Sequence, residues 1–174
     1  MSMTRDSVIV VVGAVLAVLL QIVIAPNIAL FSAMPNFIVV YALLVAIVRP
    51  GIAGPLLPFL LGLSFDLFSG GPLGAMAFLL VLVTFLASRA FVVLDNDTLF
   101  MPLVIFVVSA LAIEMLYGGF LLALGYNASA LDAFLYRGLP CALYDCVVGL
   151  ILYPFAARIL SVAAPAQPGT TRLR

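Results

Sequence analysis

Three carboxylates, Asp66, Glu114 and Asp145, lie inside hydrophobic runs of this sequence. An Asp at the middle of a bilayer-spanning helix costs roughly 2.5–3.5 kcal/mol on insertion scales, so an acid in such a place is a functional or assembly site by default. Acid–base work by a carboxylate pair needs a set separation in space, which spacing along the chain does not supply. Relay of protons through the three acids is the other chemistry open to them. The chain has no histidine, which removes the commonest metal ligand and the commonest general base at neutral pH. Cys141 and Cys146 do not have the C-x-x-C spacing of a thiol oxidoreductase. On a helix they lie about 500° apart, on different faces, and read as buried small apolar residues. There is no P-loop and no Cys–His pair. The residues therefore point to no catalytic group, no cofactor and no metal, and to a protein that is not an enzyme.

The elements that position these acids follow from composition. Hydrophobic residues make up 67% of the 174 and charged residues 8%, against about 25% charged in a soluble domain. The expected fold is all-α, a polytopic membrane bundle of about six transmembrane helices. A span needs about 20 apolar residues. Val8 to Ile24 is the first. Its start imitates a signal peptide, but Arg5 is the only basic residue before it and no small-x-small cleavage site follows, so it reads as uncleaved. The second runs from Ile28 to Val48 across Pro35, either as a helix broken there or as a re-entrant approach. Ile52 to Phe68 is the third and Leu73 to Leu94 the fourth. Asp95 to Thr98 is a polar break and an N-cap cluster for the fifth, Leu99 to Leu124. A polar loop with Asn127 and Ser129 and a short amphipathic piece lead to the sixth, Leu139 to Val162. The membrane domain is thus 1–162. The tail, 163–174, carries Pro165, Pro168 and Gly169 and reads as disordered and cytoplasmic. No internal repeat is visible.

Arginine placement orients the bundle. Arg5, Arg49, Arg89, Arg158, Arg172 and Arg174 fall on one side of a six-span model and Arg137 alone on the other. The positive-inside rule then puts both termini in the cytoplasm. Seven arginines balance seven acids, which gives no reason to expect a nucleic-acid partner.

Small residues recur at helical spacing beside each acid, as in Gly62-Asp66-Gly70, Ala110-Glu114-Gly118 with Tyr117 on the same face, and Gly138-Ala142-Asp145-Gly149. Such stripes let backbones approach closely in lipid, so the acids should face inward. All three fall in the outer half of the bilayer in this topology, where Arg137 is their one available cation. They form either a polar cavity or partner socket, or glue hydrogen-bonded to neighbouring backbone. Asp66 adjoins the turn Ser69-Gly70-Gly71-Pro72, which leads through Leu73 to Gly74. A tight hairpin needs Gly and Pro whatever its function, yet an acid at its tip marks this as the sharpest candidate site.

These residues resemble the MreD family of rod shape-determining membrane proteins. Gly62-x-x-x-Asp66-Leu67-x-Ser69-Gly70-x-Pro72-Leu73-Gly74 is similar to the family's signature of a carboxylate, a small-residue turn and a leucine–glycine pair. Pro35-Asn36-Phe37 resembles its proline, polar residue and hydrophobic run, and Thr84 to Arg89 closes the hairpin in the usual way. The resemblance covers most of 1–162. It implies a multi-pass protein of the bacterial inner membrane that acts without chemistry. Such a protein sits beside single-span MreC and, through the complex, the actin-like MreB filament and the peptidoglycan synthases of the lateral wall. It also implies a fold similar to the substrate-binding subunits of energy-coupling-factor vitamin transporters, which is the alternative function. On this reading Asp66 and the 69–72 turn shape the surface where an MreC-like partner docks, with a purely structural role for Asp66 as the competing account.

Overall fold

The computed structural model describes residues 2–30, 33–50, 54–94, 100–126 and 129–161. The Asp95–Thr98 cap cluster, Asn127 and the tail from 163 lie outside the described residues. Six α-helices follow in chain order: α1 (Ser2–Val23), α2 (Phe37–Val48), α3 (Leu56–Ser69), α4 (Ala75–Val93), α5 (Phe100–Ala123) and α6 (Leu139–Ser161). A 3-10 turn, Ala25–Ile28, follows α1, and a π-helical segment, Leu131–Gly138, runs directly into α6. The described residues form an all-helical bundle with no named strand.

Three of the helical stretches, Ala75–Val93, Phe100–Ala123 and Leu131–Leu160, are long and apolar enough to cross a membrane. The apolar stretches of the other three, Ser7–Val23, Phe37–Val48 and Leu56–Ser69, are shorter. At 1.5 Å per residue, the 12 residues of α2 and the 14 of α3 extend only about 18 and 21 Å, against about 30 Å of hydrocarbon. The break expected at Pro35 explains α2. The chain leaves α1, makes one 3-10 turn and starts α2 only at Phe37, with Pro35 itself buried.

α2 is the central post. It touches α1, α3, α4, α5 and α6, and Ile38, Val39, Val40, Leu43, Val45 and Ile47 are wholly inaccessible. A helix that is apolar on every side belongs inside a bundle, and this one is wrapped by the longer helices. Tyr41 ties it to α1 by donating from its hydroxyl to the Val10 carbonyl at 2.6 Å. Ser88 of α4 donates to the Ala46 carbonyl at 3.0 Å.

The small-residue stripes face this interior. At Gly62 a Cβ would overlap the Ala77 backbone of α4, and at Gly149 it would enter the Phe106 ring of α5. These are the closest approaches of α3 to α4 and of α6 to α5 that any side chain would block. Gly62→Leu and Gly149→Leu are therefore expected to lower folded yield and melting temperature, with overpacking of about 1–3 kcal/mol or more. At Gly119 the nearest atom to an added Cβ is 4.0 Å away, so Gly119→Ala should leave both unchanged. Thermal melts of the three variants in detergent check this.

Candidate functional site

α3 ends at Gly70 and α4 begins after Gly74, both left-handed with φ of 66° and 91°. The first N–H groups of α4 have no intrahelical acceptor, and the start of this helix is buried. Asp66 supplies the acceptors from the last turns of α3. Its Oδ2 accepts from Gly74 N at 2.9 Å and Ala77 N at 3.2 Å, and its Oδ1 from Met76 N at 3.1 Å. The side chain is 1% exposed. A carboxylate at a helix N-terminus is also favoured by the helix dipole. Close packing at Gly62 brings α3 near enough for Asp66 to reach α4. These bonds support the structural role of Asp66.

The turn itself stays accessible. Leu67, Phe68 and Leu73 are 63–71% exposed around it, and Ser69 and Gly70 are exposed beside them. Ser69 Oγ accepts from Gly71 N at 3.3 Å and shares a hydrogen bond of 3.5 Å with the Tyr117 hydroxyl. Tyr117 meets Phe65 edge-on at 5.7 Å between ring centroids. At Gly71 a Cβ would strike the Tyr117 hydroxyl. Gly71 is thus required for the approach of the turn to α5, and Pro72 stiffens the turn next to it.

The same problem recurs at α2, whose N-terminus opens inside the bundle. Asp145 of α6 accepts from Asn36 N at 2.6 Å through Oδ1, Gln21 of α1 accepts from Phe37 N at 2.7 Å, and the Asn36 side chain accepts from Val39 N at 3.2 Å. Gln21 also donates to the Pro35 carbonyl at 3.3 Å. Three side chains thereby satisfy the first donors of a helix that begins inside the bundle. Asp145 is completely buried, and its Oδ2 has no hydrogen-bond partner among the described residues. Glu114 of α5, 7% exposed, sits beside both Asp145 and Asn36, with the Arg137 guanidinium close enough to act on it electrostatically.

Glu114, Arg137 and Asn36 line a cavity of about 430 Å³ with Gln21, Tyr117 and Cys141. Ser129 caps the segment that carries Arg137, accepting from Asp132 N at 3.1 Å. Of the acids singled out from sequence, Glu114 and Asp145 come together near Arg137. Asp66 occupies a separate site, bound to its own hairpin, and Tyr117 stands between the two. Both cysteines are buried and unpaired. Among the described residues no three His, Cys, Asp or Glu side chains gather as metal ligands would. Tyr117 shares the face of Glu114, as the helical spacing of the fifth span predicts, whereas Gln21 was not legible as a member of a site. A lone amide at the end of the first span was the only sequence signal for Gln21.

A family model of the rod shape-determining protein MreD matches residues 1–162. The chain belongs to the MreD family. The match spans the Asp66 hairpin, the Asp145 cluster and all six helices. With three helices able to cross a bilayer, it makes this an integral membrane protein of the cell-shape machinery. No curated protein and no solved structure matches the chain, so the likeness to vitamin-transporter subunits has no support from those comparisons.

Asp66→Ala should strand three N–H donors and destabilise the protein by about 2 kcal/mol or more. Asp66→Asn keeps one acceptor oxygen and should fall between. Glu114→Gln should be tolerated, since its amide can donate toward the unpartnered Asp145 Oδ2, whereas Asp145→Ala should uncap α2 and lower folded yield. Melting temperatures of the four variants in one detergent give the order, and an Asp66→Ala protein as stable as the parent would remove the capping role.

Proposed function

We propose that this protein is a non-enzymatic membrane scaffold of the bacterial cell-elongation complex, holding a single-span MreC-like partner and, through it, an MreB-like filament and the peptidoglycan synthases. The observation that carries this is the family match over nearly the whole described chain. The architecture is consistent with scaffolding: Asp66 and Asp145 cap helices from neighbouring helices, which gives a stiff body.

The partner helix docks on the Asp66 hairpin. Asp66 holds the turn from inside, and Leu67, Phe68 and Leu73 project from it as a compact apolar face beside the exposed Ser69 and Gly70. Asp66 thus shapes the docking surface without touching the partner. Phe68→Ala together with Leu73→Ala should leave folded yield intact and reduce partner recovery per molecule several-fold in co-purification from native membranes. Asp66→Ala should lower yield and recovery together. Undiminished recovery in the Phe68/Leu73 variant would place docking elsewhere, and recovery of a transporter ATPase pair in place of elongation proteins would overturn the scaffold reading.

All six helices cross the inner membrane, with both termini in the cytoplasm. The short α2 is completed by the irregular chain before it, which is tolerable at membrane depth where protein covers it. Arg49, Arg89 and Arg158 then share the cytoplasmic side. A reporter active only outside the cytoplasm, fused after Arg174, should be silent; strong activity would contradict an even number of crossings.

A further inference from the structure

At the end of the bundle opposite the Asp66 hairpin lies a second cavity, of about 650 Å³, between α2, α4 and the start of α3. Its existence follows from the way α3 packs. Gly62 brings the later half of α3 against Ala77, while Pro55 and Pro58 stand at the start of the helix and line the cavity. The two helices therefore form a wedge that opens toward the arginine end. Small side chains, Ala42 and Ala46 of α2, deepen it.

The wall offers almost no hydrogen bonds. Thr84 spends its hydroxyl on the Leu80 carbonyl at 2.5 Å and Ser88 on the Ala46 carbonyl at 3.0 Å. Among the described residues, the charged ones lining the cavity are Arg49 and Arg89. Arg49 is anchored, donating to the Leu160 carbonyl at 2.7 Å. Arg89 lies over the Phe85 ring, 5.2 Å from its centroid. A trough lined by apolar groups with two fixed cations at its edge is complementary to one kind of molecule, an amphiphile with an anionic head and a hydrocarbon chain.

We propose that this cavity is a binding site for one anionic phospholipid, with an acyl chain in the wedge between α3 and α4 and the phosphate held by Arg49 and Arg89. Guanidinium forks suit a phosphate geometrically, and basic side chains near a leaflet attract anionic lipid. The site is independent of the hairpin and of the partner that docks there.

Native mass spectrometry of the full chain, released from nanodiscs of equal phosphatidylglycerol and phosphatidylcholine, tests it. One phosphatidylglycerol should be retained per protein, in preference to phosphatidylcholine by on the order of tenfold. R89Q should reduce the preference several-fold, R49Q/R89Q should abolish it, and R49K/R89K should restore much of it. Val81→Phe, which fills the wedge and leaves both arginines, should expel the lipid. Arg89 is exposed, so R89Q tests the site even if the double variant folds poorly. Equal retention of the two lipids, unchanged preference in R89Q, or unchanged retention in Val81→Phe would overturn the proposal. So would full competition by millimolar inorganic phosphate, which would mark a site for free anion.

Discussion

A helix that begins inside an apolar bundle carries backbone N–H groups into a place without water, and each must find an acceptor there. This protein begins two helices in that way. Asp66 closes the start of α4 with three bonds. Asp145, Gln21 and Asn36 close the start of α2. Asp66, Asp145 and Gln21 each reach in from another helix, so one interaction caps a terminus and joins two elements, while Asn36 is the N-cap of α2 itself. Burial of the acid and burial of the helix start offset each other, and neither would be stable alone.

The consequences reach through the fold. α2 can be short and entirely enclosed because its open end is satisfied from three directions. The longer helices then wrap it, and the contacts at Gly62 and Gly149 set their spacing. Asp66 can reach α4 only because Gly62 lets α3 approach, so the glycine and the acid four residues later act as one unit. The result is a body held at its helix starts by bonds between helices, in a chain of the rod shape-determining MreD family.

The two ends of the bundle have different chemistry. At one end the polar groups are turned inward, around a cavity of about 430 Å³ that holds Glu114 and Arg137 in its wall. At the other, hydroxyls are consumed within the helices and two arginines edge an apolar wedge. Buried acids satisfy backbone at the first end, and two arginines edge the cavity at the second.

The sequence by itself determined the helical class, the inward direction of the acids and the small-residue faces. Hydrophobic run length and 3.6-residue periodicity are local properties that the chain carries without reference to its fold. It also marked Pro35 as a break and the Asp66 hairpin as a singular place, because a carboxylate and a glycine turn in an apolar run are costly anywhere. Only the tertiary structure decided what the acids do. Asp66 and Asp145 look alike in sequence, and each could have met a partner, a proton or a cation. Their roles depend on which backbone donors lie within 3.2 Å, and those donors come from helices whose approach is set by packing. The same holds for Gln21, which has no sequence pattern of its own and gained a role because the folded chain brought the start of α2 against it. Tyr117 shares the face of Glu114 by helical spacing, but only the fold set the 69–72 turn against it.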